Sequence, residues 1–265
     1  MRWNLIAINN TKELKPFWDA TNLGYLGNLI YPARAGEILR LVAIRKFIPI
    51  SEGSAISSTV IDRLADGIMI PLFLVILIEY FGHIVAIPDP IKYFALFFVT
   101  ISLFVGVFIV WGNEFEEKMI TLISWLPRIW VEKISLWYIQ AHESALTIKN
   151  PRMFCSVFAL SLFAFLLDSL AYYSLFFAFG WGLAFPAALL ICMFIFAGST
   201  LPSTPGYFGI YQISCILAFR PFGISDTASV AYSLVLQCIV YTIFLIIGGW
   251  IMYTRRISLN TLKSG

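Results

Sequence analysis

Pro32-Ala33-Arg34-Ala35-Gly36-Glu37-Ile38-Leu39-Arg40 sets three charges inside a chain that otherwise reads as membrane. A charge at the bilayer centre costs roughly 2.5–3.5 kcal/mol on insertion scales, so such residues persist where they pair or line a cavity. The Pro and Gly beside them indicate a helix interrupted at depth. Unwound backbone at that depth needs protein or water around it. The stretch therefore predicts a polar site within a bundle of membrane helices.

Composition supports the membrane reading. The 265 residues are 60% hydrophobic and 12% charged, and mean hydropathy is +0.84. Ser169 to Phe219 is a run of 51 residues without Asp, Glu, Lys or Arg, and Thr227 to Thr254 is another of 28. Each exceeds the ~20 residues that cross the hydrocarbon. The net charge of +3 is spread over loops, with no basic patch of the kind nucleic acid requires. The cysteines, Cys155, Cys192, Cys215 and Cys238, lack paired spacing and read as buried thiols. His83 and His142 read as loop or interface residues, and two histidines leave little for metal chemistry. No metal or cofactor is expected. The N-terminus lacks the apolar core of a cleaved signal peptide.

Outward from the opening stretch, the pattern is all-helical. Residues 17–31 and 34–47 form a hairpin broken at Pro32. Residues 54–81, 92–111, 152–180 and 227–253 make four full spans. Residues 113–150 carry apolar side chains at helical spacing and read as one interfacial amphipathic helix. Residues 184–199 and 206–219 are short arms around Leu201-Pro202-Ser203-Thr204-Pro205-Gly206. Basic residues at Arg45-Lys46, Lys118 to Arg152 and Arg255-Arg256 place those loops and the C-terminus in the cytoplasm. Chain parity has 184–219 begin and end outside, and its short arms fit a second re-entrant hairpin, dipping from the face opposite to 17–47, better than two full crossings. The expected fold is one all-α polytopic membrane domain over 1–265, with four full transmembrane helices and two re-entrant hairpins of opposite orientation. Paired interrupted segments in corresponding halves point to a transporter's binding site.

Arg34, Glu37 and Arg40 sit three apart, which on a continuous helix puts them on one side. Asp62, Arg63 and Asp66 follow on the next helix. These six charges sum to zero, and unpaired they cost on the order of 15 kcal/mol at the bilayer centre. They form either a structural ion-pair network or a set that releases an arginine to an anionic head group, since guanidinium matches phosphate bidentately. Asp168 stands alone in its span, as a neutral buried carboxyl, an arginine's partner or a proton-coupling group. Ser199, Thr200, Ser203, Thr204 and Gln212 supply neutral polar groups at the second hairpin. No nucleophile–base arrangement or phosphate-binding loop is present, so no catalytic residue is assigned.

Three motifs now carry a resemblance. Asn28 to Arg40 resembles the hallmark of the flippase-like membrane domain of lysylphosphatidylglycerol synthases. Asp62-Arg63-Leu64-Ala65-Asp66 is similar to that domain's acidic–Arg–x–x–Asp motif. Pro202-Ser203-Thr204-Pro205-Gly206-Tyr207-Phe208-Gly209 is similar to its Pro-x-x-Pro-Gly-Gly-x-Gly motif. The resemblance implies a helical membrane domain that moves phospholipid, polyprenyl or glycolipid head groups between leaflets of the cell membrane. It implies a lipid substrate and admits a partner lipid-modifying enzyme or a second copy of the chain. Head-group roles then fall on Arg34, Glu37, Arg40, Asp62, Arg63, Asp66 and Asp168. Backbone roles fall on Pro32, Gly36, Pro202, Ser203, Pro205, Gly206, Gly209 and Gln212. Related stand-alone members carry the label dolichol-phosphate-glucose synthetase, which makes an accessory or scaffold of a glycolipid glycosyltransferase pathway the alternative. The pattern departs at Tyr207, where a glycine is usual, and at Gln212, where a glutamate is common. The resemblance also implies one or two spans ahead of the first motif, and Met1-Arg2-Trp3 sits where the second would end. With no synthase domain after Gly265, lipid aminoacylation is not expected of this chain.

Overall fold

Proline or glycine stands at the start of the helices that begin at Lys15, Gly36, Pro151 and Phe185 and just before the one at Ile210, whereas the helix Glu52–Gly82 runs through Pro71 and is capped by Ser51. The computed structural model describes residues 2–7, 13–32, 34–83, 150–200 and 204–257, with isolated positions between 89 and 135. The expected span 92–111 and interfacial helix 113–150 lie outside the described residues, as do Pro202 and Ser203. Regular structure among the described residues is helical throughout: α1 Arg2–Ile6, α2 Lys15–Ile30, α3 Gly36–Phe47, α4 Glu52–Gly82, α5 Pro151–Ala178, α6 Phe185–Ser199, α7 Ile210–Phe219 and α8 Asp226–Arg255. Short 3₁₀ turns, Pro205–Tyr207 and Arg220–Phe222, flank α7.

Three of these helices, α4, α5 and α8, are long and apolar enough to cross a membrane. They match the expected spans at 54–81, 152–180 and 227–253. At 1.5 Å per residue, α6 and α7 extend only about 22 and 15 Å, well short of the ~30 Å hydrocarbon core. Yet α6 is the most enclosed element, with Leu190, Ile191, Cys192, Met193, Phe194 and Ile195 all buried in succession. A helix apolar on every side belongs in the middle of a protein, and α6 packs against α4, α5 and α7.

The first hairpin, α2–α3, closes through small residues. The Asn28 Oδ1 accepts the Gly36 N–H at 2.9 Å. A Cβ at Gly36 would run into the Gly24 carbonyl oxygen and Asn28, and one at Gly27 would meet the Gly36 backbone. Small residues thus let two helices approach backbone to backbone.

α8 serves as a ruler for both hairpins. Its 30 residues rise about 45 Å. Near its C-terminal end, Arg255 donates to Asp19 at the base of α2 through Nε at 2.8 Å and Nη2 at 2.5 Å. The same guanidinium lies 4.5 Å over the Phe47 ring at the foot of α3. Further in, Leu26 packs on Gly248 and Tyr25 on Phe244, with centroids 4.7 Å apart. Near the N-terminal end of α8, Tyr232 packs on Trp181 and Phe219, which lie just before α6 and at the end of α7. The tip of that second hairpin reaches Gln237 and Tyr241. The α2–α3 pair therefore lies along the C-terminal half of α8 and the α6–α7 pair along its N-terminal half, and α2 packs against the Pro205–Tyr207 turn.

Two expectations need correction. Cys192 and Cys215 are buried free thiols, but Cys155 and Cys238 are free and exposed, on the outward faces of α5 and α8. An apolar neighbourhood in sequence does not distinguish the inner face of a span from its outer face. Helix α3 begins at Gly36, not at residue 34, because Arg34 has φ 58° and lies in the turn.

Candidate functional site

The charges of α3 and α4 form a closed ring, completed by a residue outside the expected set. Arg2 on α1 reaches Asp62 Oδ1 through Nε at 2.7 Å and Asp66 Oδ1 through Nη1 at 2.6 Å. Arg40 Nη2 reaches Asp62 Oδ2 at 2.9 Å and its Nη1 lies 3.7 Å from Glu37. Arg63 Nη2 reaches Glu37 Oε1 at 3.1 Å, and its Nη1 returns to Asp66 Oδ2 at 3.2 Å. Going round, the order is Arg2, Asp62, Arg40, Glu37, Arg63, Asp66. Each arginine bridges two carboxylates and each carboxylate two arginines, so the ring is neutral.

This ring is deep. Arg40 is 3% and Asp62 5% exposed. The Arg40 guanidinium lies 3.8 Å from the centre of the Trp3 ring, and Trp3 Nε1 donates to Ser58 Oγ at 3.0 Å. Arg2 also donates to the Asp62 carbonyl and to Ser161 Oγ on α5. The ring thus ties α1, α3, α4 and α5 together. Desolvating such charges is offset only when geometry and hydrogen bonds are near complete; here Arg2, Asp62 and Asp66 are fully matched, while Arg40 Nε and Nη1, Arg63 Nε and Glu37 Oε2 are buried without a hydrogen-bond partner among the described residues.

Arg34 is not part of it. Its left-handed backbone turns the side chain away from α3 and toward the second hairpin, where Nη1 donates to the Thr200 carbonyl at 3.3 Å. Its Nε is buried with no acceptor among the described residues. The expected one-sided trio of Arg34, Glu37 and Arg40 is therefore split. A spacing of three aligns side chains only along an unbroken helix, and this one starts after Arg34.

The second tip is held by neutral groups. Gly206, Tyr207 and Gly209 all have positive φ, at 69°, 60° and 89°. Tyr207, in the place where the family pattern has glycine, carries the strain that a side chain meets in the left-handed region. The Gly209 N–H donates to Gln212 Oε1 at 2.7 Å, and Gln212 Nε2 donates to Gln237 Oε1 at 2.7 Å. Gln237, 1% exposed, donates from Nε2 to the Gly206 carbonyl at 3.1 Å and to Tyr241 Oη at 3.0 Å. A Cβ on Gly206 would collide with the Tyr241 hydroxyl. Gln237→Leu leaves both the Gly206 carbonyl and Gln212 without their partner. Stranding a buried polar group costs about 1–3 kcal/mol, and the expected result is a clear fall in the melting temperature of the detergent-solubilised protein.

Asp168 stands apart. It is exposed on α5, and no arginine pairs with it among the described residues. Three residues escaped the sequence reading: Arg2, Gln237 and the Asp19–Arg255 pair's carboxylate. A lone amide inside an apolar span is the signal that marks Gln237. Arg2 and Asp19 have no local signal, since their partners lie 60 and 236 positions away.

Residues 1–248 match the family model described as the lysylphosphatidylglycerol synthase TM region. No curated protein and no solved structure matches the chain. The match and the long apolar helices make this a multi-pass membrane protein with a lipid-related role. The chain belongs to the family of lysylphosphatidylglycerol synthase transmembrane regions.

Proposed function

We propose that this chain carries the phosphate-bearing head group of a phospholipid or polyprenyl glycolipid between leaflets, past the junction of two re-entrant hairpins. In this reading each hairpin dips from one face of the membrane, and α8 ends in the cytoplasm. The observation that carries it is the position of Arg34. It stands where the first turn meets Thr200 and outside the neutral ring, and, unlike Arg2, Arg40 and Arg63, it is paired with no carboxylate among the described residues. A guanidinium held in a low-dielectric site and short of acceptors favours phosphate, to which it can donate twice in one plane.

The ring has a different part in this reading. Arg40 and Arg63 are each neutralised by two carboxylates, so they brace α3 and leave Arg34 to meet the lipid. The test is leaflet exchange of a tail-labelled phospholipid in proteoliposomes. Arg34→Ala is expected to bring exchange to the protein-free rate while the melting temperature stays within a few degrees. Arg34→Lys keeps the charge, loses the fork and retains part of the rate. Exchange unaltered in Arg34→Ala would remove Arg34 from the mechanism.

A further inference from the structure

We infer that the cavity between α3 and α4 seats one acyl chain of a resident anionic phospholipid, with the lipid's phosphate on Arg45. This goes beyond the transport reading and does not depend on leaflet exchange. Helix α3 uses two faces. Gly36, Leu39, Arg40, Ala43 and Ile44 are buried on one. Ile38, Leu41, Val42 and Arg45, spaced three and four apart, form a second stripe that is apolar up to its last member. That stripe lines a cavity of about 440 Å³, walled on α4 by Ala55 and Ile56 and at its inner end by Tyr31 and Ala35. Arg34 turns away to Thr200 and takes no part in these walls. The cavity is therefore separate from the proposed path of exchange.

Depth and width decide the occupant. Arg45 stands two residues before Phe47, whose ring lies under Arg255 at the end of α8. That puts Arg45 at the membrane boundary. From there the lining reaches back to Ala35, about 15 Å of helical rise. Half of a ~30 Å hydrocarbon core is the same length. Over that depth the volume gives a mean cross-section of about 30 Å². A helix 10 Å across needs nearly ~80 Å², so a partner helix does not fit and one extended hydrocarbon chain does. At the boundary end, Arg45 Nη1 meets Glu52 Oε2 at 3.4 Å, with both side chains exposed. An exposed pair of this kind contributes little. A phosphate, accepting two N–H groups in one plane, draws Arg45 from it. Arg45, Lys46 and Glu52 together carry one net positive charge, which suits an anionic head group.

The test is photolabelling of the full chain in nanodiscs, with phosphatidylglycerol or phosphatidylcholine bearing a diazirine midway along one acyl chain. Labelled residues are mapped by mass spectrometry. Phosphatidylglycerol is expected to label Leu41 and Ile56, and unlabelled phosphatidylglycerol to compete that label away. Val42→Trp fills the cavity and is expected to reduce the label to the level found on the exposed face of α8. Arg45→Gln changes an exposed side chain without touching the packing of α3. It is expected to cut the preference for phosphatidylglycerol over phosphatidylcholine by about fivefold, the effect of one surface charge. Label spread evenly over α3, α5 and α8 overturns the inference. So does label at Leu41 and Ile56 that Val42→Trp leaves unchanged, or equal labelling by the two lipids in the wild-type protein. Label that survives in Arg34→Ala supports a resident lipid, and label that vanishes there assigns the cavity to a transported one and overturns it. Competed label in a wild-type protein that exchanges no lipid leaves this inference standing and sinks the transport reading.

Discussion

Asp62→Asn is expected to lower the melting temperature of the solubilised protein by about 6–20 °C. Asp62 is the most heavily used member of the ring, accepting from Arg2 and from Arg40 through different oxygens. The substitution leaves three guanidiniums facing two carboxylates inside the protein. Removing one partner from a buried ion pair costs about 3–5 kcal/mol, because the uncompensated charge remains buried. For a chain of this size each kcal/mol is worth about 2–4 °C. An amide at this position also turns an –NH₂ toward one guanidinium, replacing an acceptor with a donor. The effect should be non-additive. Arg40→Gln in the same chain restores a net charge of zero, and the double variant should be more stable than Asp62→Asn alone. If Asp62→Asn melts like the wild type, the six charges are not a closed buried ring.

Gly36→Ala is the second large effect. The added methyl would collide with the Gly24 carbonyl oxygen and with Asn28. These contacts include main chain on the facing helix, so no rotamer change relieves them and α2 must move away from α3. Overpacking of this kind costs typically about 1–3 kcal/mol and sometimes more. The shift also breaks the Gly36 N–H to Asn28 bond that sets the turn, and it displaces Arg34 two residues earlier. Gly36→Ala is therefore expected to lose both several degrees of melting temperature and leaflet exchange. Gly67→Ala is the matched control, since a Cβ at Gly67 meets nothing within 4 Å. Ala also suits a helix interior better than Gly, so that variant should melt at or slightly above the wild-type temperature.

Features that repeat locally were legible in the sequence. Pro32 and Gly36 bracket the first turn, and the helices around it fall within two residues of the expected limits. Long, mainly apolar stretches located α4, α5 and α8, because crossing hydrocarbon imposes a length on each. Glu37, Arg40, Asp62, Arg63 and Asp66 were read as one set, since charges in an apolar chain must find each other. The ring's sixth member was not legible. Nothing around Arg2 in the sequence distinguishes it from an interfacial cation, and only the fold brings α1 against α4. The spacing argument also assigned Arg34 to the wrong group. It assumed helical φ through residues 34–37, and a single positive φ at Arg34 invalidates it. Likewise, the alternation between inner and outer face that separates Cys192 from Cys155 is weak where every face is apolar. In lipid both faces of a span are hydrophobic, so pattern alone carries less information than it does in water.

The central claim is that the hairpin tips meet around Arg34 so that a lipid phosphate can be held there. A density map of the protein in nanodiscs containing phosphatidylglycerol tests it most directly. The account predicts a head-group phosphate within hydrogen-bonding distance of the Arg34 guanidinium, with Gly206 and Thr200 beside it. Tips separated by hydrocarbon, or Arg34 sealed among protein side chains with every lipid phosphate at the membrane surface, would contradict it.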